Sequence, residues 1–600
     1  MMSTKLKESL GKALFIIMAT ICIIAVISIF AFLIVKSIPA FSKIGVIDFI
    51  FGDMWAPQRG DSYDMPLKGS YGIFTMILGT ALSTVGALII GGILGYFTSV
   101  FIVFYCPDKL KRVGTLVINI LSGIPSVIYG FFGITILLPL LSLFAPNNGS
   151  GLLATSIILG IMILPTVVSL SKVALEAVPR RYYEGSAALG VSHTETVFKI
   201  MVPSAKNGIV AALVLGVGRA LGETMAVIMV AGNSPTYPNG LFGSIRVMTA
   251  NIVLEMGYAG QVQEGALIAT GVVLLAFILM VNLVFNLVCY KAVEKIVNKP
   301  RKSRIKVKVQ KIKEVIDDIS YKVKLAKIGE YVSLISAVAV SLILVTIISF
   351  VLIKGIPTLV AKPSLIFGKF EFGSKNITIF PPIVCTLMLV VISIIVSAPI
   401  GIMTAIFLNE YARKDSYFVR IVRGSINILS GVPSIVYGLF GMITFVRIFG
   451  GHSSIIAGSL TVSIMLLPII VRATEESLKN VENSIREASL ALGAGKLRTI
   501  LKVVLPSATA GIFSAIILSI GRAISESAPL LYTMGSVIKA VPTGIFDSGA
   551  TLAVALYQLS GEGWYINESY ATAVVLIIFV LGLNFLMEII SRRKNEGKSK

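Results

Sequence analysis

The chain has 600 residues, of which 56% are apolar and only 14% charged. Ordinary globular chains carry about 25% charged residues, so this composition excludes a protein with one aqueous core and calls for lipid. A net charge of +22 would suggest nucleic acid in a soluble protein; here the charge gathers beside apolar stretches, which excludes that reading in favour of a topogenic one.

The first apolar stretch, Ala13 to Val35, carries no charge. It is longer than the roughly 20 residues that cross a bilayer core. It is also too long for the apolar part of a cleaved signal, about 7–15 residues, and reads as an uncleaved span. Further stretches follow near 71–105, 115–144, 151–171, 207–232 and 265–290. The series then repeats near 331–353, 379–409, 425–446, 455–471, 508–535 and 570–590. The expected fold is an all-α integral membrane protein of twelve transmembrane helices.

Between the two series, Lys291 to Glu330 holds 13 Lys/Arg against 5 Asp/Glu. Arg592, Arg593, Lys594, Lys598 and Lys600 close the chain, and Lys109, Lys111 and Arg112 follow the second stretch. Basic clusters mark the cytoplasmic side, so both termini and the central linker are expected there. Each half then starts and ends inside. The expected domains are a six-helix half at 1–295, a basic cytoplasmic linker at 296–325 and a second six-helix half at 326–600. Parallel repeats of this kind place a substrate path at their interface. Cys22, Cys106, Cys289 and Cys385 are scattered without metal-ligand spacing, and no metal site is expected.

The repetition is literal in places. NILSGIPSVIYGFFG runs from Asn119 to Gly133, and NILSGVPSIVYGLFG from Asn427 to Gly441, 308 residues on. Pro165 and Pro468, Glu184 and Glu487, Gly190 and Gly493, Pro203 and Pro506 are each 303 apart. Five residues are therefore missing from the second half between its third and fourth spans, where loop length is tolerant. Ser-Gly-X-Pro-Ser, at Ser122–Ser126 and Ser430–Ser434, sits at the middle of the third expected span. Proline frees a carbonyl there, and broken backbone at membrane depth is tolerated where it is packed or lines a cavity. The Ser126 and Ser434 hydroxyls either satisfy that backbone or touch a passing anion.

GRALGETMAV from Gly218 and GRAISESAPL from Gly521 place Arg219 with Glu223, and Arg522 with Glu526, inside the fifth expected spans. Ionisable groups at that depth cost about 2.5–3.5 kcal/mol each and usually face a bundle interior or a water path. Four residues apart, each pair is expected on one helix face. A guanidinium stays charged, and its planar fork fits the edge of a tetrahedral oxyanion. The alternative is a buried staple between helices, which gains little for its desolvation.

EGSAALGVSHTETVFKIMVP, Glu184–Pro203, and EASLALGAGKLRTILKVVLP, Glu487–Pro506, lie in the inner loops between spans four and five. Each has Gly six residues after Glu, where a positive φ folds two short helices against each other. These loops look like the EAA loop of ABC importer membrane subunits. The resemblance implies that Glu184, Gly190, Glu487 and Gly493 form coupling helices docking on a cytoplasmic ATPase. Gly185, Ser186 and Ser489 depart from the family's alanines. The chain has no phosphate-cradling loop of its own, because Arg592 and Leu490 stand where Gly597-Lys598-Ser599 and Gly495-Lys496 would need a glycine. It is expected to be a permease and not an enzyme. Two coupling loops imply two copies of a separate ATPase. The two histidines, His193 and His452, have no matching partners in the other half and read as surface residues.

Together NILSGIPSVIYG, the paired loops and GRALGET resemble the phosphate-specific transport (Pst) permeases, over nearly the whole chain except the linker. The first half is similar to the PstC type and the second, with GRAISESAPLL, to the PstA type. The resemblance implies two type I ABC importer permease repeats fused in one chain, in the cell (plasma or inner) membrane of a prokaryote. It implies inorganic phosphate as cargo, and Arg219, Glu223, Arg522 and Glu526 in its path. It also implies a homodimeric PstB-like ATPase that holds ATP and Mg, an extracellular or periplasmic phosphate-binding protein, and no cofactor on this chain. The loops at 38–70, 233–264, 354–378 and 536–569 are the expected dock for that protein. A carrier or channel, another oxyanion such as sulfate or molybdate, and a scaffold without flux remain the competing readings.

Overall fold

The computed structural model describes residues 4–58, 60–145, 148–297, 310–368, 377–412, 416–561, 563 and 565–596. The linker expected at 296–325 falls partly on 298–309, the loop at 354–378 partly on 369–376, and Lys598 and Lys600 on 597–600, all outside the described residues.

The first half consists of α1 (Glu8–Ile44), α2 (Phe74–Tyr105), α3 (Asp108–Gly123), α4 (Ser126–Ser142), α5 (Leu152–Glu176), α6 (Arg180–Ala188), α7 (His193–Ser204), α8 (Lys206–Leu221), α9 (Met225–Val230), α10 (Met248–Glu255) and α11 (Gln261–Val284). The second repeats the order with α12 (Lys327–Ala361), α13 (Phe380–Tyr411), α14 (Tyr417–Gly431), α15 (Ser434–Val446), α16 (Ile455–Lys479), α17 (Asn483–Ala491), α18 (Lys496–Ser525), α19 (Leu530–Thr533), α20 (Leu552–Gly561) and α21 (Ile566–Leu583).

Among the described residues, 9 helices are long and apolar enough to cross a membrane, or up to 11 if two bent pairs each count as one span. The twelfth expected position is held by α4, which is apolar but shorter than the others. Part of the shortfall is a 67° bend between α7 and α8; the rest comes from the Ser-Gly-X-Pro-Ser motifs. They do not kink one long helix at its middle. They end one helix and start another, and α14 meets α15 at 102°. Val432 and Pro433 are extended, with ψ of 128° and 146°. Proline disfavours helical backbone in the residue before it, so Ile124 and Val432 leave the helix at both repeats.

The halves share one continuous apolar core, and their first helices cross over. α1 packs along α13 and α14 of the second half, while α12 packs along α2 of the first. Near its start α1 reaches the second half's inner loop, where a Cβ at Gly11 would sit 3.1 Å from Leu497. α12 mirrors this: a Cβ at Gly329 would come 2.7 Å from Phe198, and the Thr194 hydroxyl donates to Glu330 at 3.1 Å. α1 is 37 residues long, about 55 Å at 1.5 Å per residue, so its other end lies far from those loops. There a two-stranded hairpin, β1 (Trp55–Ala56) with β2 (Ser70–Tyr71), is pinned by Asp61. Its carboxylate accepts the Lys68 and Gly69 amides at 3.0 and 2.9 Å and the Tyr71 hydroxyl at 2.8 Å. Burial pushes the Asp61 carboxyl up, but these bonds outweigh it and hold the group below the usual carboxylate range.

Candidate functional site

The inner loops fold alike in both halves. α6 and α17 each end at a glycine in the left-handed region, Gly190 at φ 75° and Gly493 at φ 78°. Only glycine takes that conformation without steric cost. Nothing lies within 4 Å of a Cβ added at either position, so backbone conformation alone requires them. The hairpin is closed by a hydroxyl pair, Ser186 with Thr196 at 2.8 Å and Ser489 with Thr499 at 2.9 Å. The serines that depart from the alanine pattern are therefore the residues that hold the hairpin. Glu184 and Glu487 are exposed. Beside each glycine a leucine stands in the open, Leu189 at 84% and Leu492 at 89% exposure. These twin apolar knobs are features the sequence reading passed over, although their matched spacing was available to it.

The loops are anchored differently. In the second, Arg486 reaches Glu410 at the end of α13 at 3.0 Å and the Leu478 carbonyl at 2.7 Å. In the first, His193 bridges the Tyr183 hydroxyl at 2.8 Å and the Phe104 carbonyl at 3.2 Å. His193 is thus a structural tie of the loop.

The repeated fifteen-residue stretch encodes a clasp. Tyr129 donates to the Leu121 carbonyl at 2.7 Å, and Tyr437 to the Leu429 carbonyl at 2.6 Å. Both rings are fully buried. The carbonyls before each proline break are thus satisfied by tyrosine eight residues on. Among the described residues neither the Ser126 nor the Ser434 hydroxyl has a hydrogen-bond partner, and both serines are half-buried at the first position of their helices. The Ser122 side chain lies outside the described residues. The break of one half meets the other: a Cβ at Gly222 would lie 3.6 Å from Pro433.

The charged pairs also sit at breaks. α8 ends at Leu221 and α18 at Ser525, so Glu223 and Glu526 lie just past the helix and not within it. The expectation that Arg219 and Glu223 share a helix face is corrected here. Gly222 ends the helix, and Arg219 turns to α5, donating to the Thr166 hydroxyl at 3.0 Å. Glu223 accepts the Ala226 amide at 3.4 Å, at the start of α9. In the second half Ile469 stands where Thr166 does, and Arg522 closes on Glu526 at 2.7 Å. Arg522 is 46% exposed along its side chain while Glu526 is 8% exposed. The two pairs are close enough to feel one another: Arg219 senses Arg522, Glu223, Glu526 and Tyr129, and Arg522 and Glu526 act on Tyr437. Two guanidiniums, two carboxylates and two clasp tyrosines thus converge between the halves.

Arg472 was not singled out from the sequence. On α16 it donates to the Asn427 side chain and the Ser430 hydroxyl, both at 2.8 Å, just before the second half's break. It is exposed, at the point where the apolar part of its helix gives way to Glu475, Glu476 and Lys479. An arginine directly after the expected span 455–471 was the signal available.

These features define a helical membrane protein of two repeats that meet at broken, charged helices and carry paired inner loops. The family profile of the binding-protein-dependent transport system inner membrane component matches residues 87–289 and again 397–596, and the chain belongs to that family; it is a multi-pass inner-membrane transport component. It is 30% identical over 605 residues to the phosphate transport system permease protein PstA homolog of Mycoplasma pneumoniae, with 90% of each chain covered. It is also 33% identical over 251 residues to the phosphate transport system permease protein PstC of Haemophilus influenzae, covering 38% of this chain and 80% of that one. A third relative, the phosphate transport system permease protein PstA of Mycobacterium leprae, is 38% identical over 202 residues, covering 33% of this chain and 66% of its own.

Proposed function

We propose that this chain is the fused permease of an ABC importer that moves inorganic phosphate into the cell. The observation that carries the reading is the convergence of Arg219 and Arg522 between two halves whose inner loops are built alike. The relatives named as phosphate permeases support the choice of cargo. The units are 1–295 and 326–600, tethered by the linker at 296–325, with both termini cytoplasmic.

In this reading the binding protein delivers phosphate at the hairpin end. ATP and Mg act on a homodimeric PstB-like ATPase, which takes Leu189 and Leu492 into a groove on each subunit, with Glu184 and Glu487 beside them. Closure of that dimer moves both loops and opens the path at the far end. The anion then meets Arg219 and Arg522. In the state described here Arg522 is paired with Glu526, while Arg219 rests on the Thr166 hydroxyl. An arriving dianion displaces Glu526 from Arg522, and a titrating phosphate offers that carboxylate a proton. Ser126 and Ser434, unpartnered at the breaks, supply hydroxyls along the path. Arg472, with Ser430 and Asn427, extends the path along α16.

The test is radiolabelled phosphate uptake into proteoliposomes holding this chain, with the ATPase and binding protein from the same genome. Uptake that requires ATP and is not inhibited by sulfate is the expected result. Uptake without ATP makes the protein a carrier or channel, and inhibition by sulfate keeps the machine but changes its cargo.

A further inference from the structure

Glu223, between α8 and α9, is held from a third helix. Its carbonyl, freed where α8 ends, accepts the Thr249 hydroxyl at 2.8 Å. Thr249 stands in the first turn of α10, and the Met248 amide of the same turn donates to the Thr80 hydroxyl at 3.1 Å. At the other end of α10, Glu255 is buried in a polar knot. It accepts the Trp55 indole N–H at 2.8 Å and the Gln263 amide at 2.8 Å, and it pairs with Arg246. Trp55 belongs to the β1–β2 hairpin and is itself buried. Tyr532 of the second half donates to the Val253 carbonyl within α10. α10 has 8 residues, so it spans about 12 Å between the hairpin and the carboxylate.

Among the described residues of the second half no such arrangement is found. α20 is the counterpart of α10, since its Leu552 amide bonds to Thr386 as Met248 does to Thr80. Ala553 replaces Thr249, and Leu559 replaces Glu255. A fold staple needed by both repeats would be expected in both.

We infer that α10 is a positioning strut, in which Trp55 and Glu255 at one end and Thr249 at the other tie the placement of Glu223 to the β1–β2 hairpin. A partner that presses on the hairpin, the binding protein in the proposed function, thereby shifts one pathway carboxylate and not the other. The inference rests on that proposed function. Thr249 and Trp55 act through Glu223 and are positioning residues; they do not touch the anion.

The experiment uses the full chain in proteoliposomes with its ATPase, measuring basal ATP hydrolysis, the increment caused by phosphate-loaded binding protein, and phosphate uptake. Trp55→Phe keeps the buried ring and removes the N–H; Thr249→Val keeps the shape and removes the hydroxyl; Thr249→Ser restores it. The expected result is an unchanged basal rate with the increment and the uptake lowered about fivefold in Thr249→Val, the shift that loss of one hydrogen bond between uncharged groups produces, and about tenfold in Trp55→Phe, whose N–H donates to the Glu255 carboxylate. Thr249→Ser recovers, and the double variant is no worse than the worse single, because residues of one network are not additive. Wild-type behaviour in both singles, losses that multiply in the double, or a parallel fall of basal and stimulated rates overturns the strut. Absence of ATP-driven uptake in the unmodified chain overturns the importer reading itself and the strut with it, and that failure shows before any variant is compared.

Discussion

The two halves agree at their inner loops and disagree at their charged breaks. Gly190 and Gly493 share a φ within a few degrees, and the Ser–Thr pairs that close the hairpins differ by 0.1 Å. A few turns away, Arg219 is tied to a threonine on α5 while Arg522 is tied to its own Glu526. Two loops that engage two copies of one partner must be alike. Two breaks that share a single path need only complement each other, and there the sequences have drifted into different roles.

The sharpest way to break this comparison is to remove each arginine. Arg219→Gln and Arg522→Gln are each expected to lower phosphate uptake by about 10- to 100-fold, the value of one charge-assisted hydrogen bond. Assembly should survive, since the tyrosine clasps and the shared core do not involve the guanidiniums. Normal uptake in both variants removes these residues from the path.

The carboxylates sharpen the same comparison. Glu526→Gln takes the ionic partner from Arg522 and is expected to lower uptake about tenfold; the pair is half open to solvent, so the loss falls short of that for a fully buried one. Glu223→Gln should lower uptake less, by about fivefold and no less than Thr249→Val, because an amide oxygen still accepts the Ala226 amide and only the charge beside the path is lost. Initial uptake rates decide the matter: equal losses in the two variants mean that the pairs act alike.

At the loops the expectation is symmetry. Gly190→Ala and Gly493→Ala introduce no clash but force an alanine into the left-handed region, at about 1 kcal/mol or more. Phosphate moved per ATP hydrolysed should fall about fivefold, and by the same factor for either residue. A loss confined to one variant would mean that one ATPase contact drives transport alone.

How much of this was legible beforehand follows from what each signal encodes. Apolar runs and literal repeats report burial and symmetry, so the helical membrane fold and the internal duplication could be read from residues such as Pro165 and Pro468. The glycine turns were legible because Gly190 and Gly493 sit at a fixed distance from a glutamate. What was not legible is where a helix stops. Arg219 and Glu223 are four apart, and helical spacing joins them on paper; Gly222, a tolerated residue in many membrane helices, ends the helix between them. The 102° turn at Val432–Pro433 lies, for the same reason, at the middle of what apolarity alone makes a single span. The clasp of Tyr437 on Leu429 requires the break to exist first, so the motif's tyrosine went unused while its serines were weighed.

The smallest effect lies at the far end, where each half pins a loop with an aspartate. Asp61 holds the β1–β2 hairpin, and Asp547 accepts the Thr543 amide and hydroxyl at 2.6 and 2.8 Å and the Gly544 amide at 3.0 Å. The Thr543 hydroxyl and these amides hold the Asp547 carboxyl below its usual range, as the bonds at Asp61 do for that group. A carboxyl lowered in the folded state stabilises its loop above its unfolded pKa of about 3.9, and the contribution is lost as pH falls through the folded value. Acid below about pH 4 should therefore loosen both loops. Asp547 is half-buried and its loop is tied to the start of α16 through the Ile455 amide, whereas the hairpin holds the buried Trp55 against Tyr71 with ring centroids 5.9 Å apart. With Trp564→Phe leaving Trp55 as the emitter, tryptophan emission should shift to the red over that acid range, and Asp61→Ala should show the shifted emission already at neutral pH while Asp547→Ala should not. A shift in both variants would mean that the two loops move as one surface, and the asymmetry traced from Trp55 to Glu223 would then stop short of the far end.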